Sequence, residues 1–150
     1  LIKKNHNINL VMVGPEGNDE QNILKAISSL KLENRVLRIP YVNSIDLPYL
    51  YYYSKLFIYP SLYEGFGFPI LEAMRSGAIV AGSKISSIPE IGSNAMIYFN
   101  PYDLEEMIFK VDSLLSNKEK QKQLKLAGYN QAKTFKWKET AKKTIQTLEN

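Results

Sequence analysis

In the stretch Ser61-Leu-Tyr-Glu-Gly-Phe-Gly-Phe-Pro-Ile-Leu-Glu72, two glutamates are separated by seven residues that include two glycines and a proline. The sequence predicts Glu64 in a loop. Glu72 is expected in the first turn of a helix beginning at Pro69, since proline suits the first helical position. Gly65-Phe66-Gly67 allows the main chain to approach a ligand closely. The helix then directs its unpaired N–H groups and positive dipole end back toward that ligand, which suits a phosphate. A carboxylate beside a diphosphate is repelled, so neither glutamate should face the phosphates directly. Ionised carboxylates only accept hydrogen bonds, and vicinal hydroxyls match them well. A ligand with phosphate in the middle and hydroxyl-bearing rings at both ends meets these demands, and a nucleotide sugar is such a ligand. Singly, each feature has a plainer reading. An acid near a helix N-terminus is usually a dipole partner, and loop glycines usually mark a turn. Only the combination is specific.

Such a loop needs a strand to deliver it and a helix to receive it. Short apolar runs at Asn9–Val13, Arg35–Ile39, Leu56–Tyr59, Ala78–Ala81 and Met96–Phe99 read as strands. Most are apolar on both faces, as in a parallel sheet covered by helices on both sides. Helices are predicted between them. Asn18 or Asp19 caps a segment in which Ile23, Leu24, Ile27 and Leu30 share a face. Asp46 precedes a helix over Leu47–Ser54. Asp103 and Glu106 have capping-box spacing ahead of Leu104, Met107, Ile108, Val111, Leu114 and Leu115. Two last helices are expected at Lys118–Thr134 and Trp137–Leu148. This alternation predicts a Rossmann-like, doubly wound α/β domain, in which ligands bind beyond the carboxyl ends of the strands.

The chain has 150 residues, 45% hydrophobic and 23% charged, enough for one domain with a core. It contains no apolar run long enough to cross a bilayer and no signal peptide pattern. Cysteine is absent, which removes disulfides and Cys-based metal sites and fits a reducing, cytoplasmic setting. His6 is the one histidine, in a polar stretch that reads as surface, so neither a His-based metal site nor a Ser-His-Asp or Cys-His arrangement can be assembled. The formal charge is +4, with many lysines in the last third. They read first as a solvated helical face, next as attraction to a membrane surface, and least as nucleic-acid binding, because no nucleic-acid module accompanies them. Tyr49, Tyr51, Tyr52 and Tyr53 form an aromatic cluster expected to pack in a core or between domains.

Ser61–Gly77, reading SLYEGFGFPILEAMRSG, resembles the signature of the family 4 retaining glycosyltransferases of the GT-B fold. The resemblance extends over nearly the whole chain, through Leu10–Gly14, Val36–Val42, Ile88-Pro-Glu90 and Asn100-Pro-Tyr-Asp103. It implies the C-terminal, donor-binding domain of a longer two-domain enzyme. Glu64 would hydrogen-bond the donor sugar and help position its reacting carbon. The amides of Gly65, Phe66 and Gly67 would hold the sugar and distal phosphate, and Glu72 would accept both ribose hydroxyls. Tyr41 and Val42 would lie against the base, with Gly14 bordering the cleft. The donor would be a UDP- or GDP-linked sugar and the acceptor a sugar or lipid-linked glycan held by the N-terminal domain. No metal or cofactor is implied, and the chain lacks an Asp-x-Asp pattern. Surface-polysaccharide or lipopolysaccharide assembly, at the inner face of the membrane, is the setting the resemblance suggests.

Pro40 stands where that family commonly has glycine, and Ile79 where it commonly has proline. The family's diphosphate-neutralising Arg and Lys precede the segment matched by Leu1-Ile-Lys-Lys, and their role is not carried over to Lys3 or Lys4. The sheet is therefore expected to lack its first, central strand, leaving edges open to association or swapping. Two competing functions remain: a sugar-nucleotide epimerase of the same fold, and a non-catalytic nucleotide-sugar-binding module.

Overall fold

A computed structural model describes residues 1–2 and 8–149; His6, Lys3 and Lys4 lie outside the described residues. The chain divides into two compact units, Leu1–Leu47 and Pro48–Asn150.

In the first unit, strand β1 (Leu10–Val13) runs parallel to β2 (Val36–Ile39), with helix α1 (Glu20–Ser29) connecting them. The register pairs Leu10 with Val36 and Val13 with Ile39. None of this unit's described residues is buried. Leu10, Val11, Val13 and Leu37 are exposed, contrary to the expectation of strands covered on both faces. Two strands and one helix offer too little apolar surface to enclose a side chain completely. Polar contacts contribute instead: Arg38 of β2 pairs with Glu20 of α1 at 2.7 Å. Asp19 precedes α1 as expected, but its carboxylate accepts from the Asn22 side chain at 2.6 Å and caps no backbone amide.

The second unit carries the core. It begins along α2 (Leu47–Tyr53) and continues through β3 (Phe57–Tyr59), α3 (Phe68–Arg75), β4 (Val80–Ser83), α4 (Ile88–Gly92) and β5 (Ile97–Phe99). The helices α5 (Leu104–Ser116), α6 (Lys118–Thr134) and α7 (Trp137–Leu148) follow. The three strands form a parallel sheet in the order β3-β4-β5, and every residue of the central strand β4 is buried. Ile70, Met74, Val80, Ile88, Phe99 and Val111 are the largest apolar side chains wholly enclosed. Gly128 lets α6 approach α3: a Cβ there would sit 3.1 Å from the Met74 Cγ. The protein is thus an α/β structure of parallel sheets flanked by helices. Among the described residues, no pairing joins the two-stranded sheet to the three-stranded one.

Both last helices keep their expected bounds, because Asn117 caps α6 through Lys120 N–H at 2.9 Å and Phe135-Lys136 breaks the run in extended conformation. The capping box at α5 forms in half. Asp103 accepts from Glu106 N–H at 2.9 Å, but the Glu106 carboxylate accepts from Asn100 N–H at 2.6 Å and pairs with Lys110 at 2.7 Å. Asp103 N–H already donates to the Asn100 carbonyl at 3.0 Å, so it needs no partner from Glu106.

Met74→Ala should leave a cavity between α3 and the core and lower stability by about 2–5 kcal/mol in urea unfolding. Asp103→Ala, which removes one cap bond at an exposed helix end, should cost only about 1 kcal/mol in the same measurement.

Candidate functional site

The loop that leaves β3 has no regular structure of its own, and side chains fix it. Glu64 Oε1 accepts from the Tyr59 hydroxyl at 2.5 Å and from Ser61 Oγ at 2.7 Å. Its backbone N–H donates to Ser86 Oγ at 3.0 Å. Ser87 Oγ lies 3.0 Å from the Glu64 carbonyl and 2.8 Å from that of Phe66, so one hydroxyl proton serves both. The loop is thereby tied at one end to the last residue of β3 and along its length to the turn before α4. Ser86 takes a left-handed φ of 47° in making that turn. Neither serine was picked out from the sequence, and their only signal was a Ser-Ser pair ahead of Pro89. The sequence marks Tyr59 only as the end of a strand and Ser61 only as the first residue of the Ser61–Glu72 stretch, with no role for either side chain.

Gly67 is the N-cap of α3, with φ 109° and ψ 42°, a conformation that a side chain would strain. The helix begins at Phe68, one residue earlier than expected, and Pro69 takes the second position, where no N–H is required. Among the described residues, the N–H groups of Gly65, Phe66 and Gly67 meet no acceptor. Gly65 has nothing within 4 Å of where a Cβ would stand, so the main chain there is openly accessible.

Glu72 lies in the second turn of α3 and not in the first, which has no acidic residue. A plain dipole partner belongs in the first turn, so that account of Glu72 weakens. The Tyr51 hydroxyl donates to Glu72 Oε2 at a long 3.4 Å. Tyr51 and Phe57 meet edge to face at 5.0 Å, and Phe57 lies 5.8 Å from Tyr59. Three rings therefore run in a row from the partner of one carboxylate to the partner of the other. Burial, followed by hydrogen bonding to Glu64, pushes the Tyr59 phenol up to about 12. Burial and the charge of Glu72 push Tyr51 well above the ordinary phenol range.

Gly14, Tyr41 and Val42 belong to the first unit. Gly14 ends β1 at φ 146° and donates to the Ile39 carbonyl at 3.0 Å. It borders a hollow of about 400 Å³ whose lining includes Met12, Gly17, Asn18, Glu20 and Arg38. Arg38 Nε and Nη1 are enclosed there without hydrogen-bond partners. Tyr41 is 76% exposed, and Val42 is half-buried. The tyrosine cluster divides: Tyr51 is buried, whereas Tyr49, Tyr52 and Tyr53 are exposed, because one side only of a seven-residue helix meets the sheet. Trp137 stacks on Phe68 at 5.9 Å while staying largely exposed.

The raised Tyr59 phenol gives a pH prediction. Its folded value lies above the ordinary 10.0, so its contribution to stability is complete below pH 10 and is lost as pH rises through about 12. Tyr59→Phe should remove the phenolate absorbance gained in that window and flatten the corresponding fall in stability. An unchanged ultraviolet titration would refute the raised Tyr59 phenol.

Comparison with known proteins gives consistent likenesses. O-antigen chain mannosyltransferase B of Escherichia coli is 33% identical over 136 residues, covering 91% of this chain and 36% of that protein. The chain thus spans about a third of that relative's length. The structure of HepE from Anabaena in complex with UDP superposes with a TM-score of 0.82 at 23% identity, covering 95% of this chain and 41% of that one. The C-terminal domain of a glycosyl transferase group 1 family protein from Francisella tularensis superposes at 0.78 with 24% identity, covering 89% of this chain and 72% of that one. These two show a shared fold. The family model described as glycosyl transferases group 1 matches residues 1–131, and the chain belongs to that family.

Proposed function

We propose that this chain is the C-terminal, donor-binding part of a retaining glycosyltransferase acting on a nucleotide sugar in cell-surface polysaccharide assembly. One observation carries the reading. The Glu64 carboxylate is held in place by neutral hydroxyls, beside three main-chain amides without acceptors among the described residues and the start of α3. Neutral donors orient a carboxylate without cancelling its charge, so it still accepts strongly from sugar hydroxyls. The amides of Gly65, Phe66 and Gly67 are suited to the sugar and distal phosphate, assisted by the helix dipole. Glu72 suits the ribose hydroxyls. Gly14, Tyr41 and Val42 are assigned to the cleft border and the base, by family resemblance. The acceptor attacks from the face of the leaving diphosphate, with no metal in the reaction scheme.

The O-antigen mannosyltransferase relative supports a polysaccharide setting, and the UDP bound by the Anabaena structure supports a nucleotide-linked donor. For the present chain the donor is assigned as a UDP- or GDP-linked sugar, in the cytoplasm, with the acceptor held by an N-terminal domain. The unpaired edge of the three-stranded sheet is a further place for another strand to join.

Glu64→Ala in the full-length enzyme should abolish sugar transfer while nucleotide binding persists; unchanged transfer would sink the assigned role. Glu72→Ala should mainly weaken nucleotide affinity, by about 1.5–3 kcal/mol in calorimetric titration, as expected for a lost hydrogen bond to a charged group.

A further inference from the structure

The second unit carries a basic and aromatic face remote in chemistry from the donor loop. On α6, Lys118, Lys122, Lys125, Tyr129 and Lys133 recur at three- and four-residue spacing, which aligns them along one flank of the helix. That flank is about 22 Å long at the helical rise. Its single acidic neighbour on α6, Glu119, is engaged elsewhere with Gln123 at 3.4 Å. The face continues onto two other helices. Lys125 Nζ lies 5.0 Å from the centre of the Tyr52 ring on α2. Arg75 at the end of α3 lies 5.7 Å from the Tyr129 ring, and Lys133 Nζ lies 4.0 Å from the same ring. Beside them Pro48, Tyr49, Tyr52, Tyr53 and Ser76 line a shallow hollow of about 290 Å³ that is almost entirely apolar. Tyr49, Tyr52 and Tyr53 are 62%, 55% and 78% exposed, an unusual degree for three aromatic rings within one short helix.

We propose that this face, formed by α2, the end of α3 and the Lys118–Lys133 flank of α6, docks the protein on an anionic lipid bilayer. Charge complementarity selects the partner. Lysines and an arginine placed around tyrosines match phosphate head groups above and the acyl boundary below, where amphipathic rings settle. A duplex nucleic acid, its bases stacked internally, would meet the cations but leave the apolar hollow and the three exposed tyrosines without a match. A single strand, whose bases could stack on them, is separated by the oligonucleotide arm of the test below. No described helix is long and apolar enough to cross a membrane, so the contact is a surface one. The proposal does not depend on the donor-site assignments.

The test is sedimentation of the intact protein with mixed phosphatidylglycerol–phosphatidylcholine vesicles, against pure phosphatidylcholine. Binding should require phosphatidylglycerol. The triple variant Lys122→Gln, Lys125→Gln, Lys133→Gln should bind about 100-fold more weakly, roughly fivefold for each lysine. A control on α7, Lys138→Gln, Lys142→Gln, Lys143→Gln, makes the same charge change on a helix that is not part of the proposed face and should lose less than tenfold. Tyr52→Ser with Tyr53→Ser should weaken retention at a salt concentration that already suppresses the lysine contribution. All these side chains are exposed, so thermal melting should move only by the loss of surface cation–π contacts, and loss of fold is separable from loss of binding. Equal losses from the α6 and α7 triples would overturn the proposal, as would equal binding to both vesicle types. Retention by an oligonucleotide without retention by vesicles would overturn it too.

Discussion

The loop that carries Glu64 and three amides without acceptors among the described residues has no backbone ladder of its own to hold it in place. Here the restraint comes from the turn between β4 and α4, where Ser86 and Ser87 bond the main chain of Glu64 and Phe66. Each hydroxyl engages a peptide group next to the amides that stay open, so the loop is held without consuming them. The turn is in turn fixed by Lys84 N–H donating to the Phe99 carbonyl at 2.8 Å, immediately after the fully buried β4. Phe99 is itself completely enclosed. Precision at Glu64 therefore traces back, through two serines and one ladder bond, to the close packing of the core.

The second constraint is electrostatic. Glu64 and Glu72 are both partnered by tyrosine hydroxyls, while the ion pairs Arg38–Glu20 and Lys110–Glu106 found among the described residues lie elsewhere. A cation at hydrogen-bond distance would claim the carboxylate and weaken it as an acceptor for a sugar hydroxyl. A phenol orients the group and stays protonated throughout the physiological range, the more so because burial raises it. The row Tyr51–Phe57–Tyr59 adds stiffness, since the edge-to-face Tyr51–Phe57 contact and the tilted Phe57–Tyr59 contact both resist movement that would carry either hydroxyl away.

Much of this was legible in the sequence, for identifiable reasons. Hydrophobic periodicity and the Asp103 cap located α5, and β-branched or aromatic runs located the strands, with β4 at Val80–Ser83 falling two residues beyond the expected Ala78–Ala81. Glu64 and the glycines stood out because their combination is chemically restrictive. Ser86 and Ser87 did not, because a serine's role lies in the geometry of contacts more than twenty residues away. The short α4 was missed as an element because five residues carry too little periodicity to register. The exposure of β1 and β2 was hidden for another reason: an apolar strand reads as buried whether or not its neighbours supply a cover.

That exposure separates the demands on the two units. Every buried described side chain lies in the unit that holds Glu64, Glu72 and the open amides. Positioning a reacting carbon tolerates errors well under an ångström, which only a close-packed scaffold can meet. Gly14, Tyr41 and Val42 sit in a unit with no buried residue among those described, organised by the Arg38–Glu20 pair and a two-strand ladder. Contact with a base is chiefly a matter of apolar area and stacking, and it survives small displacements. The uneven packing matches the tolerance of the chemistry we propose for each unit: close packing around Glu64 and Glu72, and none of it around Tyr41 and Val42.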